Sequence, residues 1–159
     1  EPAPYPDARL VEDYRIFDRV AEIPTDCFDD PSLVVERFIP EPDPAGYALR
    51  FWVFCEDQER CNRFVSDRPI LKAASVVRWE PAEVPQQLRE LRRRLGFDYG
   101  KFDFVMHEGR PVLLDANKTL GRPRHMKGSY DTEVQRFANG FETRLRNGPP
   151  SRPPEDHAP

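Results

Sequence analysis

The spacing of apolar residues changes along this chain, and each change marks an element. Residues 11–23 admit two readings: Tyr14 and Ile16 suit a strand, while Tyr14, Phe17 and Ala21 suit a helix, and Pro24 ends either. Residues 32–39 read as a buried strand and residues 40–46 as a proline-rich loop. Residues 47–54 and 61–65 read as a hairpin around Glu56-Asp57-Gln58-Glu59, with a further strand over 70–79. A helix is predicted over 85–95: Pro85 suits its first turn, Val84, Leu88, Leu91 and Leu95 form one stripe, and Gly96 ends it. Arg92, Arg93 and Arg94 fall in its last turn, where cations complement the helix dipole on a solvated face. Val134, Phe137, Phe141 and Leu145 predict a final amphipathic helix that stops at Asn147-Gly148.

Between the two helices, residues 97–123 read as two apolar strands joined by a tight turn, and they carry Asp103, Asp115 and Asn117. A carboxylate in a core-facing strand is costly unless it is paired or metal-bound. Two of them on facing strands repel by roughly 4 kcal/mol at about 4 Å and an effective dielectric of 20. Side chains alternate faces along a strand, so Lys101 shares a face with Asp103, and Asp115 with Asn117. A two-residue loop at Glu108-Gly109 places the two acids on opposite faces. A three-residue loop, His107-Glu108-Gly109, places them diagonally on one face, and Gly109 sits where such loops turn left-handed. Turn chemistry therefore predicts convergence. Hard oxygens with a neighbouring polyphosphate suit magnesium, which prefers one or two carboxylates plus substrate phosphates, and the same donors admit manganese.

Gly100-Lys101-Phe102-Asp103-Phe104, with Asp115-Ala116-Asn117-Lys118-Thr119-Leu120-Gly121 beginning twelve residues after Asp103, resembles the magnesium-binding end of the ATP-grasp fold. That superfamily includes D-alanine–D-alanine ligase, biotin carboxylase and other carboxylate–amine ligases. The resemblance implies that Asp103, Asp115 and Asn117 ligate the metals bridging the ATP phosphates, and that Lys101 lies against those phosphates. It departs from the family pattern at Asp115, where many relatives have Glu, and at Leu120, where many have Pro. It also tips residues 11–23 towards strand. In Leu33-Val34-Val35-Glu36-Arg37-Phe38-Ile39 the resemblance implies that Glu36, Arg37, Phe38 and Ile39 contact adenine, with Glu41 or Asp43 at the ribose. An ordinary sheet strand with Glu36 at its exposed end is the alternative there.

Other charged residues extend the candidate site. Arg50 interrupts an apolar strand and needs an anionic partner: a metal-site carboxylate, a phosphate, an acyl phosphate or a core Glu. Lys72 raises the same question. Arg122, Arg124, His125 and Lys127 form a basic cluster that suits either a carboxylate substrate or a solvated loop.

The fold class expected is α+β: a largely antiparallel sheet backed by helices, the larger C-terminal lobe of an ATP-grasp fold over residues 11–147. The implied chemistry is phosphoryl transfer from ATP to a substrate carboxylate, giving an acyl phosphate that an amine or other nucleophile attacks. A non-catalytic nucleotide-binding or scaffold domain is the competing expectation, and kinase-like transfer to a hydroxyl a third. The chain opens without Met, and its lysines are Lys72, Lys101, Lys118 and Lys127, so the N-terminal lobe with its phosphate-binding lysines is expected upstream. Residues 1–10 and 148–159 are proline-rich and expected to be extended or disordered. Such a chain alone is not expected to turn over ATP.

Composition narrows the classes further. A net charge of −4 with mixed signs gives no basic field for nucleic acid or an anionic membrane. No apolar run approaches the roughly 20 residues of a membrane span, and no secretory signal is visible. Cys27, Cys55 and Cys61 are an odd number without metal spacing, which favours free thiols and a cytoplasmic setting, although Cys55 and Cys61 could meet across the hairpin. The histidines His107, His125 and His157 are scattered, and His107 suits a turn.

Overall fold

The computed structural model describes residues 9–11, 14–119 and 129–148, and divides the chain into two compact units, 1–40 and 41–159. Most of both proline-rich ends lies outside the described residues, as do Leu120 and the cluster of Arg122, Arg124, His125 and Lys127.

In the first unit, β1 (Arg9–Val11) and β2 (Tyr14–Ile16) pair antiparallel, with Leu10 opposite Arg15. The strand reading of 11–23 therefore holds only at its start, because a 3-10 turn follows at Val20–Glu22. A single helical turn, α1 (Asp26–Asp29), comes next. The buried strand expected over 32–39 is corrected. Among the described residues no strand pairs with this segment, and Leu33, Val34, Val35 and Phe38 are exposed. A β-branched apolar run is only half of a strand; a paired neighbour and a covering layer complete it.

The second unit is α+β. Its elements are β3 (Glu41–Asp43), β4 (Gly46–Cys55), β5 (Gln58–Ser66), β6 (Val76–Pro81), α2 (Gln86–Arg94), β7 (Tyr99–His107), β8 (Arg110–Asn117) and α3 (Ser129–Asn147). The strands form one six-stranded antiparallel sheet in the order β6-β5-β4-β7-β8, with β3 added to β4. The loop expected at 40–46 thus contains a short strand. Conversely, only the end of the strand expected at 70–79 forms: a 3-10 turn at Ala73–Ser75 precedes β6. The Ser75 hydroxyl accepts from the Lys72 N–H and donates to the Lys72 carbonyl, and such local bonds compete with a ladder.

Register sorts the sheet into two faces. Trp52 pairs with Cys61 on one side and Phe102 on the other, so all three share a face. That face carries the core of Trp52, Phe54, Cys61, Phe102 and Phe104, closed by Leu88 of α2. Phe102 meets Trp52 and Phe54 edge-on, at centroid distances of 5.6 and 5.1 Å. Burying each large side chain contributes about 1.5–3 kcal/mol before entropy.

The α2 helix ends as expected at Gly96, whose φ is +64°. Gly96 N–H donates to Arg93 O and Phe97 N–H to Arg92 O, which satisfies the last carbonyls. The solvated face expected for Arg92 is corrected, while Arg93 and Arg94 are exposed. Arg92 turns inward over the Phe54 ring at 4.1 Å and donates to the carbonyls of Phe97, Glu56 and Asp98. Its guanidinium joins the helix end to two sheet turns.

The expected stripe of α3 is only partly used. Phe137 and Phe141 meet the Tyr99 ring, but Val134, Phe141 and Leu145 are exposed. The helix backbone comes close to β4 at Gly140, where an added Cβ would overlap the Cys55 carbonyl. Absence of a side chain, rather than an apolar one, sets this contact. Arg144 fastens it through Glu56 and Asp98 at 3.1 and 3.0 Å. The meeting of Cys55 and Cys61 is also corrected: Cys55 pairs with Gln58 and Cys61 with Trp52, which turns the two thiols to opposite faces. All three cysteines are free.

Candidate functional site

β7 and β8 are joined by a two-residue turn, since His107 pairs with Arg110. Glu108 and Gly109 both have positive φ, +51° and +74°, which matches the twist of the flanking strands. The three-residue loop is therefore corrected. Taken alone, the shorter turn would send Asp103 and Asp115 to opposite faces. A β-bulge reverses that: Phe104 pairs with Leu113 but Asp103 pairs with Asp115, leaving Leu114 as an extra, exposed residue. The two acids stand directly opposite on one face, with Cβ atoms about 4.5–5.5 Å apart for such partners.

This is the face away from the aromatic core. Lys101 pairs with Asn117 on it, two residues from the acids, and Phe51 of β4 pairs with Asp103. The Lys101 Nζ donates to Asp103 Oδ2 at 2.7 Å and lies 4.8 Å from the Phe51 ring centroid. Asn117 Nδ2 donates to Asp115 Oδ2. Asp115 is exposed, whereas only 15% of the Asp103 side chain is accessible. Asp103 Oδ1 is buried and has no hydrogen-bond partner among the described residues. Burial raises the pKa of Asp103, the Asp115 charge adds to the rise, and Lys101 opposes both.

A ligand set for magnesium is the expectation here, and the side chains brought together are Asp103, Asp115 and Asn117. Two facing carboxylates, one with an unsatisfied buried oxygen, favour a cation between them. Their chemistry is hard oxygen throughout. Among the described residues no group of three or more His, Cys, Asp or Glu side chains is arranged to hold a metal ion, so the set consists of two acids and an amide. Magnesium typically keeps several waters and takes one or two protein carboxylates.

The remaining candidates fall elsewhere. Arg50 pairs with Phe104 and Arg63, which puts it on the core face, opposite the acids. Its Nε–H forks between Glu41 Oε1 and Oε2 and its Nη2 donates to Oε1, the core Glu being one of the four partners considered. Asp43 is committed too: Oδ1 accepts from Ala45 N–H, and Oδ2 from Arg63 and Arg78. Oδ2 is thus filled by two guanidiniums, while Oδ1 accepts one bond and keeps a second lone pair. Glu41, the other ribose candidate, accepts from Arg50, Arg63 and the Met106 N–H. Burial pushes its pKa up, but these donors together outweigh burial and hold it below the ordinary value. Glu36, Arg37 and Phe38 are exposed and Ile39 half-buried, in the first unit.

Sequence reasoning missed Leu114 and Phe51. A bulge has no signature in a short apolar run, but Phe51 follows from alternation once β4 and β7 are known to pair. It also missed Arg63, the centre of the charged group, although Arg63 interrupts an apolar strand just as Arg50 does.

No family model and no curated protein matches the chain. No helix among the described residues is long and apolar enough to cross a membrane.

Proposed function

We propose that residues 41–147 form the metal-binding part of an ATP-dependent, carboxylate-activating enzyme of the ATP-grasp type. One observation carries the reading: Asp103 and Asp115 face each other across β7 and β8, and a buried Asp103 oxygen has no partner among the described residues. Asp103 and Asp115 would hold magnesium, with the carbonyl end of the Asn117 amide as third donor. Bound there, the ion would screen negative charge on transferring phosphate. Lys101 supplies a positive charge beside the pair. The adenine role of Glu36, Arg37, Phe38 and Ile39 belongs to the same proposal, and the exposure of Glu36, Arg37 and Phe38 suits a ligand-facing segment. Arg50 is left out of the chemistry, because its guanidinium is engaged by Glu41 on the other face. ATP and a small carboxylate and amine are the substrates this reading names.

The test is magnesium-dependent ADP formation by the intact protein across a panel of carboxylates and amines, wild type beside Asp115→Ala. Turnover should fall by roughly 10²-fold or more, because a fixed electrostatic partner of the transition state is removed. ATP affinity should fall far less, since adenine contacts persist. Equal ADP release by both proteins would remove Asp115 from the mechanism. A scaffold would instead lose ATP binding with no turnover in either form.

A further inference from the structure

Lys101 occupies the position of a counterion. Its ammonium is 2.7 Å from Asp103 Oδ2, the carboxylate facing Asp115, and the Phe51 ring at 4.8 Å steadies it there. The neighbouring Lys118 points away, its ammonium lying 5.0 Å from the centroid of the core ring of Phe97. A divalent ion between Asp103 and Asp115 would bring two positive charges next to that ammonium, and like charges at such range repel.

We propose that Lys101 is a resident competitor for the metal: it holds Asp103 while the site is empty, and the entering ion displaces it. The inference rests on the metal reading above. The ammonium freed from Asp103 keeps its flexible four-carbon stem and swings outward from the same strand. It then faces whatever anion accompanies the metal, so loading of the cation and capture of the anion become linked. Linkage of this kind is reciprocal: by whatever factor the bound cation raises the affinity for the anion, the anion raises the affinity for the cation.

Lys101 is partly exposed on an edge-proximal strand, so its replacement leaves the core intact. The experiment measures binding of Mn²⁺ alone, by calorimetry and by electron paramagnetic resonance, to wild type, Lys101→Met, Lys101→Arg and Asp115→Asn. Circular dichroism confirms that each variant folds. Lys101→Met should bind Mn²⁺ about fivefold tighter or more than wild type, the low end of ordinary coupling between sites. Lys101→Arg, which keeps the charge, should stay near wild type, and Asp115→Asn should lose binding. A lysine that merely positions Asp103 gives the reverse: Lys101→Met binds more weakly than wild type, or equally, and the competitor role is overturned while the metal site stands. Absence of Mn²⁺ binding in wild type overturns the metal reading itself, and the competitor with it.

Discussion

The two faces of the sheet treat charge in opposite ways. On the core face Glu41, Asp43 and Glu80 meet Arg50, Arg63 and Arg78, so three acids are matched by three guanidiniums within hydrogen-bond reach. On the other face Asp103 and Asp115 oppose each other; Lys101 reaches one of them, and a neutral amide reaches the other. Both arrangements bury a carboxylate in the same sheet, on strands β3 and β7 that pair with the same flank of β4. The matched group explains itself as structure. The mismatched one is what supports the proposed cation site, and that contrast separates a structural ion cluster from a candidate site more firmly than residue type does.

The contrast breaks most visibly under substitution of the buried acids. Glu41→Gln leaves Arg50 and Arg63 short of a counter-charge in a nearly inaccessible place. It should cost about 3–5 kcal/mol in urea unfolding. Asp103→Asn, measured without divalent ions, should cost no more than about 0.5 kcal/mol, because it relieves repulsion as it removes a bond to a partly exposed lysine. Acid titration of stability should show opposite signs. The Glu41 pKa is lowered on folding, so its contribution is present above the ordinary glutamate value and is lost as pH falls through the folded one. The Asp103 pKa is raised, so the folded state binds the proton more tightly, and stability declines as pH rises from the ordinary aspartate value through the raised one. Each substitution should abolish its own limb of the profile. A large loss from Asp103→Asn would show that the second face is as well matched as the first.

How far this was legible in sequence varied with the physics involved. The α2 helix could be read because Leu88 and Leu91 face the core and Gly96 takes a positive φ. The β4–β5 hairpin could be read from alternation. Arg92 was misread because a run of three arginines looks solvated, and nothing local tells which one turns in to cap carbonyls. The α3 contact was misread because Gly140, with no side chain, leaves no mark in an apolar pattern. The acid pair is instructive in a different way. Its convergence was expected through a three-residue loop, but it arises from a two-residue turn compensated by the bulge at Leu114. Two register errors cancelled, each worth one flip of the strand.

That bulge offers a smaller test of the same contrast. Deleting Leu114 should give a regular ladder in which Asp115 still follows Leu113 and still faces Asp103. Stability should change by no more than about 1 kcal/mol, and Mn²⁺ binding should persist. Loss of binding with the fold intact would mean that the extra residue lies elsewhere and that the register drawn here is wrong.

The most direct measurement follows backbone amide resonances of the protein in ¹H–¹⁵N correlation spectra while Mn²⁺ is added at substoichiometric levels. Signals from Lys101, Asp103, Asp115 and Asn117 should broaden first and together, while those of Glu41, Asp43 and Glu80 persist. Asp115→Asn should abolish the selective broadening. Broadening that begins at Glu41, Asp43 and Glu80, or that spreads evenly over all exposed acids, would contradict the claim that the mismatched face is the one built to receive a cation.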